Sequence, residues 1–208
     1  MKKVLLATHN RSKFERYRKI LKAIPDLEVV SLFDVGITEK VEENYATNRE
    51  NAEHKAQSYG KISGLITIAI DDSLMTNFLP ESEQPGVYAR RFAKDKKELT
   101  DLELIAVWKK IFDRYPQEEK KFIWNFAIAF YNPSNGSLGG VSLEEIDYLA
   151  QYFSSIETNG YPLSALLSST KDGIPYIEMS QEEKEIIESE SFLPFVKDFQ
   201  RWLRFAAE

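Results

Sequence analysis

Apolar and polar positions change rhythm several times along the chain, and each change predicts an element. Lys3 to Ala7 is a mostly apolar run that stops at polar Thr8 and Asn10, the pattern of a short strand buried in a parallel sheet covered on both faces. Beyond it, Phe14, Tyr17, Ile20, Leu21 and Ile24 recur at three- and four-residue intervals, which predicts a helix ended by Pro25 and Asp26. Leu27 to Leu32 (LEVVSL) predicts a second strand. Thr38 to Asn48 predicts a polar loop holding Glu39, Glu42 and Glu43, and Arg49 to Tyr59 a second helix closed by Gly60 as its C-terminal cap. The β-branched run Ile66 to Ile70 predicts a strand that stops at two adjacent carboxylates, Asp71 and Asp72.

Met75 to Phe92, rich in Pro, Glu and Ser, predicts a loop. In Leu99 to Tyr115 the positions Leu102, Ile105, Trp108, Ile111 and Phe112 make one apolar face of a long helix. Lys121 to Tyr131 (KFIWNFAIAFY) predicts a buried strand, with NPSNGSLGG after it as a hairpin turn. Val141 to Pro175 carries no clear period. QEEKEIIESE predicts a short helix and Ser191 to Phe205 a longer one, with Ser191 as cap and Pro194 in the first turn. Strands alternate with helices through the first half, and a hairpin-rich middle gives way to helices, so the class is α/β with a mixed sheet.

Composition narrows the function. The chain has 208 residues, 43% of them hydrophobic, enough for a sizeable core. Its formal charge of -6 leaves no basic surplus for nucleic acid, and an acidic chain that handles phosphate needs a local lysine or a divalent metal. There is no cysteine, which excludes disulfides, thiolate nucleophiles and Cys-ligated zinc. The apolar run at the start is too short for a signal-peptide core, and no segment approaches the roughly 18 apolar residues of a membrane span. The expectation is a cytoplasmic protein with no nucleic-acid or membrane partner.

Three polar features carry candidate chemistry. Thr8, Asn10 and Lys13 lie at the seam between a strand and a helix, where helix amides form an anion site to which Thr, Asn and Lys add donors. The same residues also fit a simple helix cap followed by a solvated lysine. Asp71 and Asp72 are placed to hold Mg²⁺ through oxygen ligands, with Ser73 beside them reaching a phosphate, and equally to cap a turn. Glu43 alone reads as a surface charge; with the two aspartates it completes a set of hard oxygen ligands, one of which can serve as general base on water. His9 and His54, without cysteine partners, are a poor zinc set, and Trp124, Phe126 and Phe130 read as sheet core.

Several segments, in order, resemble the inosine triphosphate pyrophosphatases, a family that cleaves non-standard purine nucleoside triphosphates. ATHNRSKFE is similar to the family's TxNxxK phosphate motif. EENYATNRENAEHKA is similar to its metal-binding glutamate followed by an ENAxxKA helix, which places Glu43 on that glutamate. IAIDDS resembles its strand-end ADDSGL, and QPGVYARRFA its APGVYSARYA loop. KKFIWNFAIAFYNPSNGSL is similar to an RFxCxIAL strand and hairpin, and MSQEEK to MTxEEK, which places Lys184 on a nucleotide-contacting lysine. Three places depart from the pattern, the first being Leu74, which stands where the family has the Gly after DDS. FGYDP, part of the base pocket, stands here as NGYPLS with Gly160 and Tyr161 kept, and the base-contacting SHR is replaced by Glu188, Ser189 and Glu190.

The resemblance implies a single domain over residues 1–208, an elongated α/β fold of two lobes around a long mixed sheet, with the active cleft between the lobes, and a homodimer. It implies Mg²⁺-dependent hydrolysis of a nucleoside triphosphate to monophosphate and pyrophosphate. Thr8, Asn10, Lys13, Ser73 and Lys184 would bind substrate, Glu43, Asp71 and Asp72 would hold metal, and Asp72 with Lys13 would carry catalysis. Loss of a His-Arg pair for Ser and Glu removes donors suited to a purine carbonyl and adds negative charge. Altered base specificity, or a nucleotide-binding protein without turnover, are therefore the alternatives.

Overall fold

Strand β1 (Lys2–Leu6) pairs in parallel with β2 (Leu27–Ser31) on one side and with β3 (Ile66–Thr76) on the other, with Val4 opposite both Val29 and Ile66. These residues come from a computed structural model that describes residues 1–91, 97–116, 119–158 and 160–206 of the chain. Three further strands, β4 (Lys121–Tyr131), β5 (Leu138–Leu149) and β6 (Leu167–Ser168), complete a six-stranded sheet in the order β2-β1-β3-β4-β5-β6. The β5 and β6 strands pair antiparallel, so the sheet is mixed, as the alternation of patterns requires. Two compact units divide the chain, one of Met1–Asp72, Phe126–Leu143 and Glu188–Glu208, the other of Ser73–Asn125 and Glu144–Ile187.

In the first unit the alternation of side chains along each strand builds two different faces. Leu5, Ala7, Ala69, Ala127, Ala129 and Tyr131 face helix α2 (Asn48–Ser63), which contributes Ala52, Ala56 and Tyr59. Small residues let α2 lie close; a Cβ on Gly60 would come 2.6 Å from the Tyr131 ring. The neighbouring positions of β4 turn the other way, and Phe126 and Phe130 meet an aromatic layer from α1 (Arg11–Leu21) and α5 (Leu193–Phe205). Tyr17, Phe192, Phe195 and Phe199 in that layer are almost fully buried, each contributing roughly 1.5–3 kcal/mol of burial. In the second unit, helix α3 (Asp101–Arg114) packs Leu104, Trp108, Ile111 and Phe112 with Phe78, Phe122 and Leu166. A short helix α4 (Gln181–Ser191) ends that unit and leads back to the first.

Several boundaries differ from the sequence expectation for physical reasons. β3 does not stop at Ile70 but runs through Asp71 and Asp72 to Thr76, so both aspartates are strand residues within a paired sheet. Helix α2 does not end at Gly60; it continues to Ser63 and is closed by Gly64, whose φ of 70° supplies the left-handed cap. It begins at Asn48 because Thr47 and Glu50 form a capping box. Ser191 is the last residue of α4 rather than the cap of α5, whose start is set by Pro194 after Phe192. Val141 to Pro175 resolves into most of β5, a 3-10 turn at Pro162–Ala165, and β6. The expected loop after Met75 holds a 3-10 turn at Glu81–Glu83 and a bridge between Leu74 and Gly86; Phe92 and Ala93, at the end of QPGVYARRFA, lie outside the described residues.

Candidate active site

The turn from β1 into α1 satisfies itself. The Asn10 carboxamide oxygen accepts the amides of Ser12 (2.9 Å) and Lys13 (3.1 Å), and the Thr8 hydroxyl accepts the amide of Asn10 (3.1 Å). The helix-cap reading of Asn10 therefore holds, and the charged donor that this turn presents is the Lys13 ammonium one turn on. It is ion-paired to Oδ2 of Asp72. The other Asp72 oxygen, Oδ1, is buried and accepts no hydrogen bond among the described residues.

Successive residues of β3 point to opposite faces, so Asp71 turns away from Lys13 and toward α2. There it meets a residue that the sequence reading passed over. Lys55 projects from the buried face of α2, and its ammonium donates to Oε2 of Glu43 (2.9 Å), to the Ile70 carbonyl (2.8 Å) and to Oδ1 of Asp71 (3.1 Å). Lys55 is only 8% exposed. The loop that carries Glu43 is tied to the same helix. Tyr59 accepts the amide of Val41 at its hydroxyl and donates that hydroxyl to the Glu39 carbonyl, while Asn51 accepts the amide of Tyr45.

Burying this much charge shifts its titration. Burial raises the Asp71 carboxyl to about 7; Lys55 opposes the rise, while the hydrogen bond and negative charge of Glu43 add to it. Glu43 is also penalised by burial, but the Lys55 charge and hydrogen bonds from Asp71 and Lys55 hold it below the ordinary glutamate value. Burial works against the Lys13 ammonium too, yet Asp72 beside it, with Asp71 and Glu43 beyond, keeps its pKa above that of a free lysine.

Thr8, Asn10, Lys13, Glu43, Asp71 and Asp72 are all in the first unit, but the three acids do not share one cation: Glu43 and Asp71 share the Lys55 ammonium, and Asp72 pairs with Lys13. Among the described residues no group of three or more His, Cys, Asp or Glu is set to hold a metal. Mg²⁺ is commonly held by one or two carboxylates, its other positions going to waters and substrate phosphates. Oxygens of Glu43, Asp71 and Ile70 already surround a positive charge, so this donor set fits such an ion if Lys55 withdraws.

Ser73 and Lys184 belong to the second unit. The Lys184 ammonium donates to the Ile177 carbonyl (2.8 Å) and lies 5.6 Å from the centre of the Tyr176 ring. At the altered triplet, Glu188 pairs with Arg16 at 3.0 Å, and the Arg16 guanidinium lies 4.8 Å from the Phe192 ring centre, while Glu190 is exposed. Lys55 was findable in the sequence: it falls between Ala52, Ala56 and Tyr59 on the apolar face of α2, where a charged residue is out of place unless paired.

Adjacent carboxylates on one strand, with Lys13 against one face and Lys55 against the other, are a donor set suited to a highly charged anionic ligand and a cation. The chain belongs to the Ham1 family, whose model matches residues 4–146. It is 33% identical over 151 residues to a protein named dITP/XTP pyrophosphatase from Bacillus licheniformis, covering 70% of this chain and 74% of that one. A Leuconostoc mesenteroides protein of the same name is 29% identical over 188 residues, 89% of each chain. The solved structure of a HAM1 protein from Coxiella burnetii superposes with a TM-score of 0.72 at 22% identity, covering 94% of this chain and 96% of that one, and shows the shared fold.

Proposed function

We propose that this protein is a Mg²⁺-dependent nucleoside triphosphate pyrophosphatase that releases a nucleoside monophosphate and pyrophosphate. The observation that carries the reading is the corner itself, where Glu43 and Asp71 converge on one positive charge while Lys13 and Asp72 form a second pair on the other face of β3. The names of the curated relatives support the substrate class.

The residues divide the work by position. Lys13, with Thr8 and Asn10 fixing the start of α1, holds the triphosphate and offsets charge that builds on it. Glu43 and Asp71 would hold the metal, with Asp72 as a third ligand on the family resemblance alone. Mg²⁺, when bound, supplies charge neutralisation of the phosphates and helps to orient them. When a triphosphate engages Lys13, the Asp72 carboxylate would lose its partner and become available to take a proton from water. The water oxygen bonds to the α-phosphorus, the bond from that phosphorus to the α,β-bridging oxygen breaks, and pyrophosphate leaves. Ser73 and Lys184 contribute to substrate binding and the protein acts as a homodimer, as the family resemblance implies, and its place of action is the cytoplasm.

Base selection is where this chain departs. At the triplet that reads the base in the resembling family, Glu188 is engaged by Arg16 and Glu190 is exposed, so the donors for a purine carbonyl are gone. A relaxed or shifted base preference is the second reading. Incubating the purified protein with Mg²⁺ and a panel of standard and deaminated nucleoside triphosphates, and measuring monophosphate and pyrophosphate, tests both. Pyrophosphate from deaminated purines alone supports the family's substrate class, and pyrophosphate from several bases supports the second. Orthophosphate as the product, or binding without turnover, overturns the proposal.

A further inference from the structure

Lys55 occupies the space between the two carboxylates assigned above to metal. Its ammonium donates hydrogen bonds to Glu43, Asp71 and the Ile70 carbonyl, oxygens suited to a divalent cation, and like Ala52, Ala56 and Tyr59 it is a buried residue of α2. An ammonium and a divalent ion compete for those oxygens, because two positive centres would lie within a few ångströms of each other beside the buried Asp71 carboxylate.

Resting on the pyrophosphatase reading, we infer that Lys55 is an internal counter-ion that competes with the metal: its ammonium holds the Glu43–Asp71 site closed until a divalent cation displaces it. The arrangement has a function. The buried Asp71 carboxylate is costly without a cation, and Glu43 at the exposed rim adds a second negative charge beside it, so the lysine keeps the corner folded when no metal is present. It also weakens metal binding to the nucleotide-free protein, because the metal must expel an ammonium that already makes three hydrogen bonds. A triphosphate lowers that barrier by supplying negative charge for the displaced ammonium, so metal and substrate bind better together than apart.

Nucleotide-free protein titrated with Mn²⁺, followed by the loss of the free-ion electron paramagnetic resonance signal, tests the competition. The Lys55→Met variant should bind Mn²⁺ at least about tenfold more tightly than the wild type, because a fixed positive charge beside the ion is gone, while Lys55→Arg should stay near the wild-type affinity. A Lys55→Met protein that binds Mn²⁺ no more tightly than the wild type overturns the inference, including the case in which neither binds. Circular dichroism shows whether the variant is folded. Should it not be, the wild type alone decides: the Lys55 ammonium signal in a ¹H–¹⁵N spectrum, assigned by its loss in Lys55→Arg, must move or vanish on addition of Mg²⁺ and a non-hydrolysable triphosphate, and a signal unchanged by both overturns the inference. Turnover is a separate readout. Tighter Mn²⁺ binding by Lys55→Met with no hydrolysis of any triphosphate by the wild type would sink the pyrophosphatase reading and leave the competition standing.

Discussion

Two lysine-and-acid clusters in this molecule look alike in sequence and differ in what their charges do. In the corner of the first unit, Lys13 pairs with Asp72, and Lys55 with Glu43 and Asp71, between side chains delivered by separate elements; Lys55 and Asp71 are buried, Lys13 and Asp72 are partly so, and Glu43 stands at the exposed rim. In the MSQEEK segment at the start of α4, the charged side chains of Glu183 and Lys184 are satisfied by residues close by in the sequence. Ser180 and Glu183 cap the helix reciprocally, Gln181 donates to Glu185, and Lys184 donates to the Ile177 carbonyl. Charges gathered from distant segments and buried are costly to assemble and point to chemistry. Charges satisfied by near neighbours at the surface point first to local folding. Both segments resemble motifs of the pyrophosphatase family in sequence, yet only the first builds a concentration of charge that folding alone does not need.

Asp72→Asn should give the largest effect. Removing the base costs about 100-fold or more in kcat, with the thermal midpoint nearly unchanged, because Asn keeps the size of the side chain and a carbonyl acceptor for Lys13. Hydrolysis assays beside a thermal melt check it; equal activity would take Asp72 out of the mechanism and remove the sharpest contrast between the clusters. Lys13→Ala comes next. Loss of a charge-assisted contact to phosphate should raise KM roughly 10- to 100-fold, with a smaller change in kcat. Unchanged affinity for triphosphate would contradict its role.

Much of the first cluster was legible in the sequence because strand ends, caps and loop acids have local signatures. What was not legible depended on neighbours in space. Aspartate is a poor strand former, so the run Ile66 to Ile70 reads as ending at Asp71; pairing within the sheet and the lysines on either face carry the strand on to Thr76. Gly60 and Gly64, one turn apart, look equally good as caps. Only the close approach of α2 to Tyr131 shows that Gly60 is there for space and Gly64 for its left-handed φ. Lys55 was missed because a lysine in a helix is read as a solvated face, although its position on the apolar stripe contradicts that. At the other cluster, Glu188 reads as the loss of a base contact, and nothing local reveals that it is tied to Arg16.

Lys184→Met sharpens the comparison with a smaller effect. The Ile177 carbonyl loses its donor, at a cost of about 1 kcal/mol in stability. If Lys184 also turns to the nucleotide, KM should rise, but by less than for Lys13→Ala, since binding must first break that local bond. A rise as large as that of Lys13→Ala would show that local satisfaction does not exclude a site role, and the contrast between the clusters would fail at this residue.

The smallest effect is a pH dependence confined to the second cluster. Hydrogen bonds from the Ser180 amide and hydroxyl hold the Glu183 carboxyl below the ordinary glutamate range. The group binds its proton less readily folded than unfolded, so its contribution to stability is complete above the unfolded pKa and is lost as pH falls through the folded one. Glu183→Gln keeps a side-chain oxygen for the cap but has no proton to lose. Thermal melts of the two proteins should therefore differ most near neutral pH and draw together only as pH falls through the folded-state pKa, on the acid side of the ordinary glutamate value, where Glu183 becomes protonated in both states. Because Glu183 is exposed, the gap at neutral pH should be slight and shrink with salt. A constant gap across the range would mean that the charge adds nothing to the cap, and a gap as large as that of a buried pair would place Glu183 among the long-range charges of the first cluster.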